Sequence, residues 1–302
     1  MKLWHALAGL SPAVTPFLEF TFMRRALVTC LALSASGGPL GTLLILRRMA
    51  LAGDAMAHAV LPGASIGYLC AGLSLWAMAT GGLVGAIVVA ATAGLIARRT
   101  AQREDASFAA VYLIALSGGV LLASLSTGKV DLLHMLFGTV LAVDDAGLFL
   151  VGGITTFILF VLAILFRPIV IDSFDRRFLS TTAHGAWAHL SFIVLVVLNL
   201  VAGFQVLGTL MSVGLLILPA ASARFWADSL DVQILLSMCF GGVASFAGLV
   251  LSYQAALPSG PCIILVAGVG YLVSASCGRP VGARSPRFRG RSVTIRKPSD
   301  VS

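Results

Sequence analysis

Charge is what this sequence has least of. Only 11% of its 302 residues are Asp, Glu, Lys or Arg, while 59% are apolar and the mean hydropathy is +1.01. A water-soluble domain carries about 25% charged residues to cover its surface, so a soluble globular enzyme is excluded. Cysteine is sparse and scattered: Cys30, Cys70, Cys239, Cys262 and Cys277 lie in apolar stretches with no CxxC spacing. That removes both a zinc knuckle and a disulfide framework. Catalytic signatures are missing as well, since the chain holds no HExxH, GxSxG or GxGxxG. The nearest approach to a phosphate loop, Ser126-Thr127-Gly128-Lys129-Val130, has Ala123 where the first glycine belongs and Val130 in place of the hydroxyl residue. Nothing here hydrolyses ATP.

What is present is a series of long apolar runs. A bilayer-crossing helix needs roughly 20 mostly apolar residues, and the expected spans are 26–46, 55–72, 76–97, 107–126, 148–166, 232–253 and 261–277. The stretch 188–218 is too long for one untilted helix. Gly203 and Gly208 interrupt it around Phe204–Leu207, which predicts a span at 188–203 and a short returning helix at 208–218. The fold class is therefore all-α, a polytopic membrane helix bundle of about nine crossings. Gly37/Gly41, Gly63/Gly67 and Gly81/Gly85 have GxxxG spacing, which lets two helix backbones approach closely.

The formal net charge of +8 suggests nucleic acid until its location is considered. Seven basic residues, Arg279 to Lys297, stand against Asp300 alone in a Pro/Gly/Ser-rich end. Such an end reads as a disordered, topology-fixing cytoplasmic tail over 279–302, with no nucleic-acid partner. Sixteen of the twenty Lys and Arg residues collect on one side of the predicted spans: Arg47–Arg48, Arg98–Arg103, Arg167–Arg177, Arg224 and the tail. Positive loops stay inside, so this side is the cytoplasm. Residues 1–25 then form an external interfacial segment, with no cleavable signal, ahead of a transmembrane domain at 26–278. Arg24 and Arg25 are the exception to that asymmetry.

An ionisable residue inside a bilayer is costly and usually has a partner or a function. Asp54 and His58 stand four apart among small residues, in Gly53-Asp54-Ala55-Met56-Ala57-His58-Ala59. On a helix they share one face. A carboxylate oxygen with an imidazole nitrogen suits a divalent metal ion. Two ligands bind weakly, but a two-fold copy would supply two Asp and two His. The competing reading makes Asp54 a helix N-cap after Gly53, with His58 merely solvated. Imidazole ligates a metal only when neutral, so binding at such a site should weaken in acid.

Other polar groups carry less. Glu104–Asp105 complement a helix dipole beside Arg98–Arg103. Asp131 and His134 are one turn apart in the external stretch 127–147, where a solvated amphipathic segment competes with a metal entry site. His5, His184 and His189 have no partner at ligand spacing.

The string from Arg47 through Asp54 and His58 to Leu61-Pro62-Gly63 resembles the signature of manganese/zinc/iron-type ABC transporter permeases. Further matches follow in order: Glu104-Asp105, Ser173-Phe174-Asp175, Val206-Leu207-Gly208, Leu215 to Arg224, and Leu257-Pro258-Ser259-Gly260-Pro261. The resemblance covers about residues 20–278 and implies a multi-pass permease of the bacterial cytoplasmic (inner) membrane. Such a subunit dimerises with itself or a paralogue, sits on a cytoplasmic ATP-binding-cassette ATPase, and receives metal from an extracytoplasmic metal-binding protein. Asp54 and His58 match the family's metal positions. Pro219, Ala220, Ala221, Ser222, Ala223, Arg224, Phe225 and Trp226 match the segment that docks on the ATPase. Pro219 also suits the first turn of a new helix, and an interfacial loop with Trp226 as an aromatic belt residue is the alternative there. The cargo implied is a transported manganese, iron or zinc ion, with no permanently bound cofactor and no catalysis by the chain itself. A permease for a larger metal chelate such as a siderophore, or a membrane-embedded metal-dependent enzyme, are the other readings.

Overall fold

The computed structural model describes residues 15–72, 74–100, 104–125, 143–174 and 183–278. Over the described residues, each of the expected apolar segments lies within one helix, to within a residue at its ends. The elements are α1 (Thr15–Glu19), α2 (Thr21–Leu46), α3 (Ala50–Ala71), α4 (Leu75–Arg99), α5 (Glu104–Leu125), α6 (Asp145–Phe174), α7 (Ala183–Leu207), α8 (Thr209–Ala223), α9 (Leu230–Ala255) and α10 (Ser259–Cys277). Six of them, α2, α4, α6, α7, α9 and α10, are long and apolar enough to cross a membrane, and Ala106–Gly119 of α5 and Thr209–Ala223 are shorter apolar helices. The 22-residue α3 is not among the six, because Asp54, His58 and many alanines and glycines dilute its apolar character.

The arrangement follows from helices that are apolar all round. Large side chains face outward: Phe149, Ile114, Trp187 and Leu51 are each at least 70% exposed. The interior is dense with small residues, as expected where lipid removes the hydrophobic drive and close packing takes over. α3 lies against α4 and α5, α8 against α9 and α10, and α2 touches α6, α8 and α9, with α7 packed on α6. Ser36 Oγ donates to Asn199 Oδ1 at 2.6 Å and ties α2 to α7 through a buried polar contact.

Glycine sets the crossing of α3 and α4. Gly63 and Gly67 of α3 face Gly81 and Gly85 of α4, and a Cβ on Gly85 would stand 2.7 Å from the Gly63 Cα. A Cβ on Gly63 would collide with the Gly81 carbonyl. In the Gly37/Gly41 pair only Gly41 is forced, by the Leu216 carbonyl of α8; Gly37 would tolerate a methyl.

Two boundaries differ from expectation. α7 continues through Gly203 to Leu207 and breaks only at Gly208, whose φ of 80° suits a residue without Cβ. Gly203 instead admits Ser212 of α8, so it is a packing glycine. Pro219 does not open a helix either. It lies inside α8, which runs on to Ala223; an interior proline is tolerated in a membrane bundle where neighbours enclose the freed carbonyl. At the other end, Arg25 pairs with Asp145 at 2.7 Å, and Asp144 Oδ1 accepts from the Gly147 N–H at the start of α6.

Candidate metal site

α3 begins at Ala50 with Met49 as its N-cap residue. Asp54 is thus inside the second turn, and the N-cap reading of it does not hold. Asp54 Oδ1 lies 3.7 Å from His58 Nε2 on the same face. Their side chains are 46% and 28% exposed respectively, so both can be reached from one side while their flanks are closed. Ala55, Ala57 and Ala59 are buried around them. The His58 ring stacks on Tyr112 of α5 with centroids 6.0 Å apart and planes 23° apart. Its Nδ1 is buried and has no hydrogen-bond partner among the described residues. This geometry offers one oxygen and one nitrogen to a cation. Among the described residues no group of three or more His, Cys, Asp or Glu side chains could hold a metal. Asp131 and His134 lie outside the described residues.

The segment 219–226 divides sharply. Pro219, Ala220, Ser222 and Ala223 are buried within the chain, Ala221 and Phe225 are half-buried, and Arg224 and Trp226 are exposed. Of the segment matched to ATPase docking, Ala220 and Ala223 are therefore turned inward, against the chain's own helices. The chain end of α8 presents Arg224 and Trp226 outward, in a turn closed by Trp226 N–H donating to the Ala223 carbonyl at 3.0 Å.

One polar cluster escapes sequence reasoning. Arg47 and Asp172 form an ion pair at 3.0 Å with both side chains at most 3% exposed. Arg47 Nε donates to Ser173 Oγ at 2.9 Å, and its second amino group donates to the Ile169 carbonyl at 2.9 Å. His189 Nδ1 stands 3.3 Å from Arg47 and 3.7 Å from Asp172, so this histidine does have partners. The guanidinium also lies 4.1 Å above the Phe192 ring, a cation–π contact. Removing one partner of a buried pair strands the other and costs about 3–5 kcal/mol. The signal in the sequence was Asp172 itself, an acid in a run that stays helical to Phe174.

Directly after Arg47 the chain turns a corner. Arg48 N–H donates to the Ile45 carbonyl and Met49 N–H to the Leu44 carbonyl, the two bonds of a Schellman ending. Arg48 takes the left-handed position, with φ of 58°, where glycine is usual. A non-glycine residue there costs roughly 1–2 kcal/mol. Met49 is buried beneath the corner.

An all-helical bundle with lipid-facing flanks and buried polar contacts is a multi-pass membrane protein. Residues 19–278 match the ABC 3 transport family, and the chain belongs to that family of transport proteins. It is 34% identical over 270 residues to the manganese import system permease protein ScaB of Streptococcus parasanguinis, covering 86% of this chain and 94% of the relative. It is 30% identical over 260 residues to the manganese transport system membrane protein MntC of Listeria monocytogenes, covering 85% and 91%. Among solved structures, PsaBC from Streptococcus pneumoniae in complex with Fab superposes with a TM-score of 0.77 at 32% identity, covering 88% of this chain and 95% of that one.

Proposed function

We propose that the chain is the permease subunit of a bacterial ABC importer for manganese, with Asp54 and His58 as ligands in the ion's path. The observation that carries the reading is the pairing of hard and borderline donors on one partly open face of α3, with no thiolate beside them. Oxygen and nitrogen ligands suit manganese, and the two relatives at 34% and 30% identity are by name a manganese import permease protein and a manganese transport membrane protein. A second copy about a two-fold axis completes the shell with another Asp and His. Iron and zinc suit the same donors, so the choice of manganese rests on the relatives. The chain makes nine crossings in this reading, its N-terminal segment lies outside, and the tail at 279–302 lies in the cytoplasm.

The ATP-hydrolysing partner docks at the cytoplasmic end of α8, through Arg224, Phe225 and Trp226, with Ala221 beside them. An extracytoplasmic binding protein delivers the ion, and Asp131 with His134 form its entry. Reconstitution of permease, ATPase and binding protein in liposomes tests the function. ATP-driven accumulation of radioactive manganese is expected; accumulation of a siderophore–iron complex with no manganese entry would overturn it. The docking surface makes a separate prediction. Arg and Trp are the residues that dominate interface energetics, each worth about 2 kcal/mol or more when truncated. Arg224→Ala with Trp226→Ala is expected to weaken ATPase association by about thirtyfold or more, measured by surface-immobilised binding, with the thermal midpoint of the permease unchanged.

A further inference from the structure

The Arg47 cluster has no part in the reading above, although it is the most completely buried charged group described. We infer that Arg47 is a positioning residue for the metal site. This inference rests on Asp54 and His58 being the ligands.

The geometry makes the connection short. Arg47 closes α2, Met49 precedes α3, and Asp54 follows within the second turn of α3. At 1.5 Å per residue, Asp54 stands about 6 Å along the axis from the helix start. The intervening corner holds Arg48 in a backbone region that costs energy, so it persists only where its surroundings determine it. Those surroundings are the buried Met49 below and the anchored Arg47 side chain before it. Arg47 reaches α6 at Ile169, Asp172 and Ser173, and α7 at His189 and Phe192. Three helices are thereby referred to the point from which α3 departs. A guanidinium is suited to the task because its planar fork serves several acceptors at once while its face stacks on a ring.

Arg47 touches neither proposed ligand. It acts through the direction in which α3 leaves the corner, as residues outside a metal's ligand shell commonly tune affinity by about 10–100-fold. Lysine in its place keeps the charge opposite Asp172 and loses the fork.

The test uses the permease–ATPase complex in lipid nanodiscs, with manganese alone as the probe. Free Mn2+ is followed by its six-line electron paramagnetic resonance signal, and affinity is normalised to folded complex. Arg47→Lys is expected to weaken manganese binding by about tenfold, and Asp54→Ala to abolish it. Arg47→Lys combined with Asp172→Asn should weaken it no more than the worse single change, because the groups act as one unit. A merely structural role would lower the thermal midpoint and leave affinity per folded complex untouched; that result overturns the inference while Asp54→Ala still loses binding. If Asp54→Ala binds like the parent, the ligand assignment falls and the inference with it. Ser173→Ala, which removes the acceptor of Arg47 Nε together with the Ser173 hydroxyl's own donation to the Ile169 carbonyl, is the milder variant if Arg47→Lys does not fold. A smaller loss of affinity in that folded complex supports positioning, and parental affinity refutes it.

Discussion

Manganese accumulation should fall by about a hundredfold or more when Asp54 and His58 are both changed to alanine, while the permease stays in the membrane and holds its ATPase. The magnitude follows from ligand loss: groups outside the ligand shell already shift affinity by about 10–100-fold, and here the ligands themselves are removed. The packing lost is small, chiefly the stacking of the His58 ring on Tyr112. The contact between Asp54 and His58 is 3.7 Å, both are partly exposed, and the flanking alanines supply the packing. Stability should therefore change little, and the two readouts separate. Asp54→Asn and His58→Gln keep polarity and size, and each should retain a fraction of uptake, because an amide oxygen is a weaker donor than a carboxylate or imidazole. Undiminished uptake by the double alanine variant, with normal membrane levels, removes the site from α3.

The α3–α4 crossing should be the position least tolerant of substitution. Gly63→Leu sets a side chain against the Gly81 carbonyl and the Gly85 Cα. Both obstacles are backbone, so no rotamer change relieves them. Overpacking usually costs about 1–3 kcal/mol, and this variant is expected at or beyond the upper end. Loss of the monodisperse peak in detergent and of the thermal transition is the expected result. Gly152→Ala in α6 is the control, since a Cβ there meets nothing within 4 Å. That change should leave stability equal or raise it by about 0.5–1 kcal/mol through helix propensity. Equal behaviour of the two variants would mean that the glycines are not what seats α3 on α4.

Most of the fold was legible because lipid imposes a simple rule: every backbone group must be satisfied within its own helix. Runs of apolar residues therefore announce helices, and each run did become one. Their ends were less legible. α6 reaches Phe174 and α7 starts at Ala183, well beyond their apolar cores, because helix continues where a neighbour or interface supports it. Asp54 could pass for an N-cap while the start of α3 was unknown; Met49 in that position settles its place. The break between α7 and α8 fell at Gly208 and spared Gly203, a choice made by backbone angle in one and by Ser212 in the other. Beyond the acid at Asp172, the Arg47–Asp172–His189 cluster could not be read. Arg47 stands more than a hundred residues from both of its partners along the chain, and periodicity speaks only of neighbours within a few turns.

The length of α8 has a consequence of its own. Its fifteen residues rise about 22 Å, against a hydrocarbon layer of about 30 Å. The joint at Gly208 is therefore submerged, or the lipid beside it is pinched thinner. Submersion exposes no bare peptide: Gly208 is buried, its N–H donates to Phe204 and its carbonyl accepts from Ser212. A break in the helix at that depth needs no water, because the chain closes the hydrogen bonds on both sides of Gly208 itself.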